Sequence, residues 1–176
     1  MEELPGTTYL YNLSLIAVTF SAVSALVMLI RQSMGGKLSN FDIYLIVTYV
    51  SLGFVVAVAA VLPPLVALFA PSPTVLWGTA SGLAAILVAA VVANSLASRR
   101  RAATVPMSSA VTAVFAGYWI AALLFAANAV VGPIQGVGVH AVASTLFLVV
   151  LMVAFVRRIA SLLGDKPGDD WDPGRG

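Results

Sequence analysis

Residues 75–101 read VLWGTASGLAAILVAAVVANSLASRRR. From Val75 to Leu96 there is no Asp, Glu, Lys or Arg, and then Arg99, Arg100 and Arg101 follow in a row. About 20 apolar residues cross the ~30 Å hydrocarbon layer of a bilayer as a helix. The stretch therefore predicts a transmembrane helix, and its arginine end predicts which side that end faces.

The same reading extends outward in both directions. Tyr11–Ile30, Ile43–Leu62, Met107–Val130 and Val139–Val156 are also apolar and free of charge. The last is the shortest and is expected to begin a few residues earlier. Strands of a membrane barrel would show alternating segments of about ten residues, and none is present. The predicted fold is an all-α integral membrane protein, a five-helix transmembrane bundle forming one domain over residues 1–163. Residues 164–176, rich in Gly, Pro and Asp, read as a disordered cytoplasmic tail. Trp171 within that tail is either an incidental residue at a frayed end or a docking element for a cytoplasmic partner.

Composition agrees with this assignment. Hydrophobic residues make up 61% of the chain and charged residues 9%, against about 25% charged in a soluble domain. Mean hydropathy is +1.03. The net charge of +2 offers no basic patch for nucleic acid. With no cysteine, thiolate chemistry, disulfides and Cys-ligated metals are excluded. His140 is the single histidine.

All nine basic residues fall in the connections 31–42 and 97–106 or after Val156. The connections 63–74 and 132–138 and the N-terminus hold none. The positive-inside rule then predicts the N-terminus outside and the C-terminus inside, in the plasma (inner) membrane. A cleaved signal peptide would begin with basic residues; Met1-Glu2-Glu3 is acidic, so the first span is expected to be retained. Arg31, Lys37, Asp42, Arg99, Arg100, Arg101, Arg157 and Arg158 form the inner rim of charge, suited to anionic lipid headgroups. Asp42 sits at the start of the second span, where a helix dipole favours a carboxylate.

Helix signals refine the edges. Ser39-Asn40-Phe41-Asp42 offers caps for the second span. Pro106 suits the first turn of the fourth. Pro63-Pro64 predicts that the second helix ends at Leu62, because proline breaks the i→i−4 ladder. The following segment then reads as an interfacial loop, or as a re-entrant segment, since Leu65–Ala70 is apolar again.

Three groups of residues invite a functional reading. Asn12, Asn128, His140 and Ser144 share a depth near the outer surface and form a candidate polar cluster. Tyr44, Thr48 and Ser51 make a helical stripe on the inner half of the second span, with Asn94, Ser108 and Thr112 at matching depth. These line a vestibule, or they pack helices and bond their own backbone. Tyr118 and Trp119 lie mid-span, whereas Tyr9, Tyr11 and Trp77 belong to the interfacial aromatic belts. A phenol and an indole at mid-depth want partners, from a neighbouring helix or from a bound lipid, quinone or other apolar ligand. Gly78 and Gly82 form a Gly-x-x-x-Gly that serves either self-association or packing within the chain.

No Asp, Glu, Lys or Arg lies inside a span, which argues against proton-coupled transport and intramembrane proteolysis. No cofactor or metal site is expected, and no enzymatic activity. The expected role is an accessory, assembly or scaffold component of a membrane complex, with lipids and a membrane protein or a second copy as partners. The alternatives are a homo-oligomeric passive channel or facilitator, which needs no buried charge, and a lipid-acting membrane enzyme built on Asp42, His140 and the rim arginines.

Overall fold

The structure, a computed structural model, describes residues 6–33, 40–69, 72–102, 107–131 and 135–163. Its five helices are α1 (Thr7–Ser33), α2 (Asn40–Ala67), α3 (Pro73–Ala102), α4 (Ser109–Val130) and α5 (Val137–Leu163). Each is long and apolar enough to cross a membrane. In hydrocarbon every backbone N–H and C=O needs an internal partner, and the helix supplies one from its own chain. The protein is an all-α polytopic membrane protein.

Side-chain contacts show how the helices run. Ser81 on α3 meets Asn128 on α4, near the start of one and the end of the other, so these two are antiparallel. Tyr9 and Phe20 on α1 meet Thr145 and Phe155 on α5 in the same order, so these are parallel. Tyr49 and Ala59 on α2 meet Ala154 and His140 on α5 in reverse order. Sequence neighbours pack side by side, and α5 closes the ring against α1 and α2. One end of the bundle gathers Arg99, Arg100, Arg101 and Arg157; this is the basic end.

The core is filled by large side chains. Phe125, Phe147, Leu52, Leu151, Val56, Val88 and Val92 are all completely or almost completely buried. Phe155 takes Phe20 and Tyr49 edge-on at ring-centre distances of 5.1 and 5.4 Å, geometry that the ring quadrupole favours. Leu15, Ile86, Leu123 and Val130 are exposed, between 66% and 79%, and face outward from the bundle.

Small residues let helices approach, and the structure places these faces inside the chain. A side chain at Gly78 would meet the Ala129 carbonyl at 3.4 Å, and one at Gly82 the Ala129 methyl at 3.8 Å. The Gly-x-x-x-Gly of α3 thus receives α4. Gly53 receives Ser21 of α1, and Gly117 receives Val150 of α5.

Several helix ends differ from the sequence expectation. The chief correction concerns α2, which does not stop at Leu62 but continues through Pro63 and Pro64 to Ala67. It then closes with tight turns, Leu68 N–H to the Leu65 carbonyl and Phe69 N–H to that of Val66. The reason lies in α5 and is given below. Helix α3 starts at Pro73, whose missing N–H costs nothing in a first turn, with Ser72 accepting from Val75 N–H. Helix α5 starts at Val137, before Val139, as its short apolar run led one to expect. Helix α4 starts after Ser108, which has extended backbone (φ −68°, ψ 159°) and accepts from Val111 N–H, the geometry of an N-cap. Pro106, Lys37 and the tail 164–176 lie outside the described residues, as do the side chains of Arg31, Asp42 and Arg158.

Candidate functional site

Pro63 has no N–H, so the carbonyl four residues earlier, Ala59, loses the partner that a regular helix would give it. An unpaired carbonyl buried in hydrocarbon costs several kcal/mol. His140, near the start of α5, lies against that point, and its Nε2 is 2.9 Å from the Ala59 carbonyl oxygen. A carbonyl only accepts, so Nε2 carries the proton and donates. This bond replaces the one lost at Pro63, so α2 passes that residue without ending.

The other ring nitrogen is also engaged. His140 Nδ1 is 2.9 Å from the Ser81 hydroxyl on α3. In the neutral imidazole with Nε2 protonated, Nδ1 accepts and Ser81 donates. Ser81 in turn accepts from Asn128 Nδ2 on α4 at 2.7 Å. The amide orientation of Asn128 follows from Gly136, whose backbone N–H donates to Oδ1 at 3.0 Å. A chain of donors and acceptors therefore runs from the α4–α5 connection through α4, α3 and α5 to the backbone of α2.

This chain is dry. Ser81, Asn128, His140 and Ser144 all have 0% exposure. Phe125 packs edge-on against the imidazole at 5.0 Å and Trp77 lies tilted against it at 5.9 Å. Trp77 is 7% exposed and turns its ring inward onto this core. Ser144 donates to the His140 carbonyl on its own helix at 2.9 Å. Gln135 donates to the Ala129 carbonyl at 2.9 Å and ties the connection down.

The structure thus brings together Asn128, His140 and Ser144 but not Asn12, whose side chain stands exposed on α1. Two participants escaped sequence reasoning, Ser81 and the Ala59 carbonyl. The second was legible in principle: a proline in a helix marks the acceptor four residues back.

A second polar group lies toward the basic end. Tyr44, Thr48, Tyr49, Arg99 and Tyr118 line a cleft of about 50 Å³ with apolar walls that include Leu52, Val111 and Phe115. Tyr49 donates to the Ala154 carbonyl at 3.2 Å. Tyr118 is 2% exposed and is held edge-on by Phe147 at 5.0 Å and Phe115 at 6.1 Å. Its neighbour Trp119 points the other way and is 40% exposed, since successive helical residues diverge by about 100°. The remaining stripe residues do not line this cleft. Ser108 caps α4, Thr112 donates to the Ser108 carbonyl at 3.1 Å, Asn94 is exposed, and Ser51 is half-buried.

Between the two polar groups lie Val56, Val88, Phe147 and Leu151, all with 0% exposure. Among the described residues no group of three or more His, Cys, Asp or Glu side chains comes together to hold a metal. No family model matches the chain, and neither a curated protein nor a solved structure does.

Proposed function

We propose that this protein is a non-enzymatic component of a membrane assembly, seated in the plasma membrane with its N-terminus outside and its basic end in the cytosol. The observation that carries the reading is the state of its one histidine. His140 is fully buried, and both ring nitrogens are held by the fold, one by the Ala59 carbonyl and one by Ser81. A general base or ligand-binding histidine presents a nitrogen to its substrate; this one presents neither. The packed layer at mid-depth also speaks against a path for solutes through a single copy. Its small-residue faces already receive neighbouring helices, which leaves large aliphatic side chains such as Leu15, Ile86 and Leu123 to meet a partner.

The test is extraction of the tagged full-length chain from its own membranes in mild detergent, followed by mass analysis of what co-purifies. A membrane protein recovered in fixed proportion is expected. A chain that runs alone, and that lets ions or small neutral solutes cross when placed in liposomes, contradicts the proposal. Orientation is checked separately: a reporter enzyme fused after Gly176 is expected to be active in the cytosol only.

A further inference from the structure

We propose that the cleft between α2, α3 and α4 binds the phosphoryl oxyanion of an anionic lipid, with Arg99 and Tyr118 as its principal ligands. The inference is independent of the assembly role. Its first support is Tyr118. That residue is 2% exposed and lines the cleft. No hydrogen bond to its hydroxyl is found among the described residues. Buried hydroxyls normally have a partner, and this one has an O–H to donate into the cleft.

The second support is charge. Arg99 lines the same cleft and forms no ion pair among the described residues. A guanidinium presents a planar fork of N–H donors that matches phosphoryl oxygens. Helical side chains lean toward the N-terminus of their own helix. Tyr118 on α4 therefore leans toward the basic end, whereas Arg99, near the C-terminal end of α3, leans toward the membrane interior. The two donors converge from opposite directions. Tyr44 and Thr48, one turn apart on α2, complete the polar wall.

Size and surroundings select the ligand class. A cavity of about 50 Å³ admits roughly three to five water-sized groups, the scale of a tetrahedral oxyanion head. The walls are Leu45, Leu52, Val111, Val114, Phe115 and Ala154, which suit the apolar continuation of a lipid and not a freely hydrated ion. The same oxyanion chemistry is available from soluble phosphate, so the experiment separates the two sources.

The full-length protein is purified in neutral detergent. Binding is measured by native mass spectrometry and by the shift of thermal unfolding with phosphatidic acid, phosphatidylcholine and inorganic phosphate as separate probes. Phosphatidic acid is expected to bind at least tenfold more tightly than phosphatidylcholine. Tyr118→Phe, which removes only an unpartnered hydroxyl, is expected to weaken phosphatidic acid about fivefold or more and to leave unfolding without lipid unchanged. Arg99→Gln is expected to weaken it at least tenfold, and Arg100→Gln, on the exposed helix surface, less than twofold. Equal losses for Arg99→Gln and Arg100→Gln, or no loss for Tyr118→Phe, overturn the site in favour of diffuse attraction to the rim. Protection by inorganic phosphate that Tyr118→Phe abolishes, with no preference for phosphatidic acid, overturns the lipid as its source.

Discussion

His140→Leu is expected to cost the bundle about 3 kcal/mol, the largest loss of any single polar substitution in the chain. Hydrogen bonds between membrane helices average only about 0.6 kcal/mol and reach about 1.7, because separated helices find other partners in the membrane. That discount does not apply to the Ala59 carbonyl. Pro63 removes its intrahelical donor whether or not the helices have assembled, so the bond from His140 is gained in full on assembly. Leucine also leaves Ser81 without its acceptor and removes the ring packed between Trp77 and Phe125. Reversible unfolding in mixed detergent micelles, followed by circular dichroism and tryptophan fluorescence, measures the loss. Helix content in the folded state is expected to fall only slightly, since α5 keeps its own ladder and only the short end of α2 past Pro63 depends on the lost bond. A loss below about 0.5 kcal/mol contradicts the assignment.

Gly53→Ala is expected to cost about 2 kcal/mol, in the range of overpacking. A methyl group there would overlap the Ser21 hydroxyl, approach the Ser21 Cβ at 3.2 Å and meet the Ala17 carbonyl at 3.3 Å. The hydroxyl is itself bonded to that carbonyl at 2.9 Å, so turning it aside gives up a hydrogen bond. The backbone oxygen cannot move without bending α1. Because α1 packs chiefly on α2, the damage falls on one interface. Ser21→Gly in the same chain is expected to recover more than half of the loss. If the pair proves additive in the same unfolding measurement, the α1–α2 contact does not pass through these residues.

The five helices were legible because the bilayer imposes a length and a polarity that one-dimensional sequence displays directly. The uncharged run from Val75 to Leu96 already says most of it. Asn128 and His140 were legible as a polar pair at one depth. Ser81 was hidden because serines are common in such spans, and only the rotation of α3 decides which of them faces inward. Asn12 failed for the converse reason: depth places a residue along the membrane normal but says nothing of the face it occupies. Trp77 carried the usual mark of an interfacial aromatic, yet its ring turns inward onto His140. The proline pair misled because the rule that proline ends a helix assumes that nothing replaces the lost hydrogen bond. At Pro63 a side chain 81 positions away in the chain replaces it. The Tyr118 hydroxyl and Arg99 share a cleft for a similar reason, since only packing brings the middle of α4 to the end of α3.

The account turns on the pairing of the Pro63 break with His140, and a double-mutant cycle measures it. Pro63→Ala restores an N–H that reaches the Ala59 carbonyl, after which His140 is no longer its sole donor. In that background His140→Leu is expected to cost at least about 1 kcal/mol less than in the unsubstituted protein. Losses that add to within about 0.3 kcal/mol would show that the imidazole and the proline act separately, and the clamp described here would not exist.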